Sequence, residues 1–154
     1  MYRNVLVPID STPLSSATVE QAVAFAQGTG ARLTFFHAQT DCLATENGAQ
    51  MRSLEPAACA ELVAGNARAL LAKAMASART AKVEFDTLVR ISDRPADAIL
   101  EAAHSQGCDL IFMASHGRRG LKGMLMGSVA QKVLQQTPLF AENWHSDWSF
   151  QARP

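Results

Sequence analysis

Along this chain the spacing of apolar positions alternates between short β-like runs and a helical period near 3.6. Asn4-Val5-Leu6-Val7-Pro8-Ile9 is an apolar, β-branched run that predicts a strand, and Asp10-Ser11-Thr12-Pro13 ends it with turn residues. A helix is expected from about Ser15 to Gln27. Val19, Ala22, Val23 and Ala26 fall on one of its faces, and Gly28 and Gly30 close it. Leu33-Thr34-Phe35-Phe36-His37-Ala38 predicts the second strand. Gln39–Glu55 has no clear periodicity and reads as a loop. Pro56 suits the first turn of a long helix to about Arg79, whose apolar face carries Val63, Ala67, Leu70, Leu71, Ala74 and Ala78.

Val83–Val89 alternates at period two, the pattern of a strand with one open face, as edge strands often have. Ser92 or Asp93 is placed to cap the next helix, with Pro95 in its first turn, Ala96, Ile99, Leu100 and Ala103 inward, and Gly107 at its end. Leu110-Ile111-Phe112-Met113 predicts a strand buried on both faces, and a helical pattern resumes near Ser128. This β-α-β-α-β-α-β-α order argues for a parallel sheet with helices on both faces and right-handed crossovers. Ligands of such sheets bind beyond the carboxyl ends of the strands, where the strand order switches. Pro138–Trp144 is short and turns polar quickly, which makes it a weak last strand. Trp144, Trp148 and Phe150 follow in an aromatic tail that either folds back on the domain or meets a partner subunit.

Composition narrows the class. At 154 residues, 48% hydrophobic and 18% charged, the chain has material for one packed domain and is unlike a disordered one. Fourteen basic residues balance fourteen acidic ones, so no overall charge draws it to nucleic acid or an anionic membrane. No apolar run reaches the ~18 residues of a membrane span, and the N-terminus leads directly into a strand rather than a signal peptide. Cys42, Cys59 and Cys108 lack CxxC or metal-ligand spacing and read as free thiols in a reducing cytoplasm. Four scattered histidines make no metal site; His37, inside an apolar strand, reads as packed or hydrogen-bonded.

The candidate chemistry lies in Leu110–Val133. A buried strand, a loop with Gly117, Gly120, Gly123 and Gly127, and a helix N-terminus together offer inward-turned N–H groups and a partial positive charge, which suit phosphate. The loop is not a Walker A motif, since GxxxxGK[ST] is absent. The first strand-to-helix turn has no glycine, so it is not a dinucleotide fingerprint, and no GxSxG nucleophile elbow exists. The chain instead carries Ala114-Ser115-His116-Gly117, nine residues, and then Gly127-Ser128. Ser128 with Gln131 also has the spacing of a capping box, and Asp10 is able to satisfy its own turn.

That arrangement resembles the nucleotide-binding signature of the universal stress protein family, G-x2-G-x9-G-[S/T]. The resemblance extends from about Asn4 to Pro138. It includes Val7-Pro8-Ile9-Asp10, Arg94-Pro95-Ala96, Ser115–Lys122 and Gly127–Val133. It implies a single-domain α/β fold over residues 1–141, with 142–154 as tail. The sheet would be open, mostly parallel and five-stranded, of order 3-2-1-4-5, Rossmann-like and similar to adenine nucleotide alpha hydrolases. It also implies frequent homodimers and a site for ATP, with or without Mg2+. Pro8 and Asp10 would meet the ribose or adenine end, and the main chain at Ala38 the adenine. Met113, Ala114, His116 and Gly117 would line ribose and phosphates, and Gly127, Ser128 and Val129 would hold the phosphate tail. Ala114 stands where the motif has its first glycine.

The function implied is a cytoplasmic stress-response regulator that reads a nucleotide as a signal. Arg118, Arg119 and Lys122 beside His116 are a cationic run that serves either solvent or phosphate. Hydrolysis would be slow at most, because no second carboxylate can be named near the phosphate loop. A second reading keeps the fold without the ligand: Ala114 blocks the pocket, and the protein acts as a dimerisation or interaction module.

Overall fold

The computed structural model describes residues 1–40, 56–114, 128–136 and 140–144. It contains β1 (Asn4–Pro8), α1 (Pro13–Thr29), β2 (Arg32–Gln39), α2 (Pro56–Thr80), β3 (Phe85–Ile91), α3 (Pro95–Ser105), β4 (Leu110–Ala114), α4 (Ser128–Gln136) and β5 (Phe140–Trp144). The strands form one five-stranded sheet in the order β3-β2-β1-β4-β5, and every pair is parallel. This is the α/β architecture and strand order expected.

Period two along the strands divides the core between the two faces of the sheet. Val5, Val7, Leu33, Phe35, Leu110 and Phe112 point to α1 and α2, where Val19, Ala22, Ala26, Leu71, Ala74 and Ala78 meet them. Leu6, Phe36, Ile111 and Met113 point the other way, to Ala96, Ile99 and Ala103 of α3 and Ala130 and Val133 of α4. Neighbouring Phe35 and Phe36 are both fully buried, one in each core. Truncating either to alanine should cost about 3–5 kcal/mol.

The amino end of β1 is fixed by Asp109, whose carboxylate accepts the N–H groups of Arg3 (2.8 Å) and Asn4 (3.0 Å). Since β1 pairs with β2 on one side and β4 on the other, Asp109 helps set the register at the centre of the sheet.

Some boundaries differ from expectation. Gly28 lies inside α1; only Gly30, at φ 74°, takes the left-handed conformation that stops the helix, and its N–H donates to the Ala26 carbonyl. β3 begins at Phe85 rather than Val83, because the Val83 N–H is engaged by the Ala78 carbonyl at the end of α2. No side chain caps α3. Arg94 occupies its cap position, and Ser92 Oγ accepts the Arg94 N–H at 3.0 Å, closing a local turn. The weak C-terminal pattern does form a strand: β5 pairs with β4 from Phe140 to Trp144, past the boundary expected at residue 141. An edge strand needs a ladder on one side only, so five residues that begin apolar suffice. Trp148 and Phe150 of the tail lie outside the described residues.

Candidate functional site

Strand order reverses between β1 and β4, with α1 and α2 on one face and α3 and α4 on the other. The crevice beyond the strand ends at that point is the usual ligand site of such sheets. Pro8 ends β1 and Asp10 lies two residues beyond it, Ala38 lies near the end of β2, and Met113 and Ala114 end β4. Because β1 sits between β2 and β4, these residues share one edge of the sheet with Asp10 at its middle.

Asp10 is exposed and locally well held. Its Oδ1 accepts the Thr12 N–H at 2.8 Å and the Thr12 hydroxyl at 2.5 Å, an Asx turn of the kind its own loop invites. Its N–H donates to Ser15 Oγ at 2.8 Å. Behind it His37 is buried, and its Nδ1–H donates to the Ile9 carbonyl at 2.8 Å. A carbonyl only accepts, so this bond places the proton on Nδ1. His37 is thus a packed, hydrogen-bonded residue that steadies the backbone beside Asp10. Asp10 therefore does satisfy its turn, and the turn orients it at the strand ends.

Ala114 is the last residue of β4 and is not among the described residues with positive φ. The backbone there asks for no glycine, so alanine adds no conformational strain. Met113 and Val129 both direct their side chains into the second core cluster. Ser128 is exposed and opens α4. Helix geometry leaves the first N–H groups of α4 without intrahelical partners, and they carry the positive end of its dipole.

His116, Gly117 and Gly127 lie outside the described residues, as do Arg118, Arg119, Lys122, Cys42 and the Gln39–Glu55 loop beyond Thr40. Among the described residues, no group of three His, Cys, Asp or Glu side chains is placed to hold a metal ion, and no helix is long and apolar enough to cross a membrane. His104 is exposed. Cys108 is a buried free thiol on the far side of β4 from the strand ends; burial first, and then the charge of Asp109, push its pKa up to about 11.

Two contributors to this edge escape a reading by motif. Ser15 was expected only as a helix start, yet it receives the Asp10 N–H; the Asp-Ser-Thr-Pro turn before it was the available signal. Gln39 was expected at the start of a loop, yet it ends β2, its carbonyl accepts the Ser92 N–H at 2.9 Å and its Oε1 is buried. The adjoining aperiodic stretch hides it in sequence.

Comparison with known proteins bears on the fold and the family. The model of the universal stress protein family matches residues 1–139. A universal stress protein of Thermus aquaticus is 32% identical over 143 residues, covering 90% of this chain and 95% of its own. Among solved structures, universal stress protein UspA from Lactobacillus plantarum superposes with a TM-score of 0.75 at 23% identity, covering 94% and 98% of the two chains. A universal stress protein solved in complex with cAMP gives a TM-score of 0.67 at 20% identity, with 95% and 98% covered. A family protein from Arabidopsis thaliana with AMP bound gives 0.64 at 14% identity, with 92% and 90% covered. With the family model and the Thermus relative both spanning nearly its whole length, the chain belongs to the universal stress protein family.

Proposed function

We propose that this protein binds ATP or a related adenine nucleotide and acts as a stress-response regulator, with the nucleotide as signal rather than substrate. The observation that carries the reading is the shared edge where Asp10 just beyond β1, Ala38 near the end of β2 and Ala114 at the end of β4 lie on three adjacent strands at the reversal of strand order. Family relatives of the same fold solved with cAMP and AMP support an adenine ligand. In this reading Asp10 accepts from the ribose hydroxyls. The main chain at Ala38 meets the base. Met113, Ala114, His116 and Gly117 line the ribose and phosphates, and Gly127, Ser128 and Val129 hold the phosphate tail.

Mg2+ would accompany ATP through its phosphate oxygens, since such ions usually keep most of their ligands as water and phosphate. The assembly we propose is a cytoplasmic homodimer, for which sedimentation velocity is the direct reading.

Titration calorimetry with ATP, AMP and cAMP, each with and without Mg2+, tests the function, with GTP as control. Saturable heat with adenine nucleotides and a raised unfolding midpoint are expected. A Kd a hundredfold below the nucleotide concentration used should add about 2.7 kcal/mol. Absence of both at millimolar nucleotide would end the proposal and favour the interaction-module reading. Phosphate release should stay near background while ATP is bound.

A further inference from the structure

We propose that Asp97 is a positioning residue, which holds the N-terminal turn of α4 in place for phosphate by bridging α3 to α4. Asp97 lies in the first turn of α3. Its Oδ2 is 2.9 Å from Arg94 Nε, and its Oδ1 is 3.6 Å from Lys132 Nζ. Lys132 stands one helical turn after Ser128, so this ion pair grips α4 directly behind the N–H groups offered to phosphate.

The grip has a fixed base. Ser92 Oγ accepts the Arg94 N–H at 3.0 Å, and the Ser92 N–H donates to the Gln39 carbonyl at 2.9 Å. Two hydrogen bonds, at Ser92, followed by two ion-pair contacts, at Asp97, therefore connect the end of β2 to α4 through Arg94 and Lys132. On the nucleotide reading above, on which this inference rests, that path joins the adenine end of the site to the phosphate end. The apolar contact between α3 and α4 through Ala96, Ile99, Ala130 and Val133 holds the helices together, and the shared carboxylate adds a directional tie between them. Its carboxylate is 28% exposed and the Lys132 side chain 43%, so solvent screens the pair in part and its effect is modest.

The test turns on a sign. Removing a negative charge near an anionic ligand should by Coulomb's law tighten binding. If Asp97 positions α4, Asp97→Asn instead weakens ATP by about three- to fivefold, the effect of losing one partly buried pair. Lys132→Met weakens it similarly, while Asp97→Glu keeps the charge and stays near the wild type. A parallel measurement reads the tie without nucleotide. In ligand-free Asp97→Asn, amide hydrogen exchange should quicken at Lys132–Leu134 and remain unchanged in β2, with the unfolding midpoint nearly constant.

Tighter or unaltered ATP binding by Asp97→Asn overturns the inference, and so does unchanged exchange in α4. A wild-type protein that binds no nucleotide would sink the nucleotide reading instead, and the exchange experiment would still judge the tie between the helices.

Discussion

At Asp10 one carboxylate has two tasks, and substitution can separate them. Asparagine keeps an oxygen able to accept from Thr12, so the Asx turn survives Asp10→Asn, whereas alanine removes it. Hydrogen bonds to a charged group contribute about 1.5–3 kcal/mol. Asp10→Asn should therefore weaken ATP by roughly tenfold or more with little change in stability. Asp10→Ala should show the same loss of affinity and also lower stability by about 1 kcal/mol through the broken turn. Equal affinity of Asp10→Asn and wild type in calorimetry would confine Asp10 to the turn. Ala114 poses a complementary question. Its backbone lies in β4 outside positive φ, so Ala114→Gly relieves no strain and should cost about 0.5–1 kcal/mol of stability. Nucleotide affinity should stay within about threefold of wild type, less than 1 kcal/mol. A large gain in affinity would mean that the methyl obstructs the ligand.

Helix ends show how local chemistry and packing meet at the scale of elements. The chain leaves α1 through Gly30 at φ 74° and α3 through Gly107 at φ 61°. α2 ends differently. Lys82 takes φ 56°, the Lys82 N–H donates to Arg79 and the Val83 N–H to Ala78, a Schellman motif with lysine at the glycine position. The motif at Gly107 has matching bonds, from Gly107 to His104 and from Cys108 to Ala103. A side chain in the left-handed region costs about 1–2 kcal/mol. Lys82→Gly should accordingly stabilise the fold by up to about 1 kcal/mol, part of the gain being offset by a freer unfolded chain. Gly107→Ala should destabilise by a similar amount. Denaturant midpoints measure both, and a Lys82→Gly protein no more stable than the wild type would contradict the strain at that turn.

The same ends explain what could be read beforehand. Four helices and their strands were legible because periods of 3.6 and two are imposed by burial on each face of the sheet. Gly107 was legible because glycine advertises positive φ, whereas Lys82 was not, since nothing in lysine announces that conformation and it shows only in the backbone bonds of Lys82 and Val83 to the end of α2. β5 was nearly invisible for a related reason: one ladder to β4 defines it, and a single ladder leaves little pattern in five residues. Within the site, Asp10 and Ser128 carried local signals, a turn and a helix start. Asp97 carried none, because its role depends on α4, which lies far along the chain.

For the molecule as a whole, stability at high pH should be set in part by Cys108. Its thiol lies between β4 and α3, hydrogen-bonded with Thr34, beside Asp109 and buried with the second core. Desolvation and that neighbouring carboxylate favour the neutral thiol and raise the pKa from 9.0 to about 11 in the folded protein. A thiol in the unfolded chain ionises at the lower value. Below pH 9 both states hold the proton, and the contribution of Cys108 to stability is fully present. Between pH 9 and 11 the unfolded state releases its proton first, so unfolding becomes progressively more favourable. The contrast is with Cys108→Ala, which removes this group alone. Urea unfolding of the two proteins from pH 8 to 11 should show a steeper loss of stability for wild type, and their difference should shrink as pH rises. The buried, neutral thiol should also react with a disulfide reagent at neutral pH only as fast as the surrounding core opens. Parallel pH curves for wild type and Cys108→Ala would place that thiol in far wetter surroundings than a core joining β4 to α3 provides.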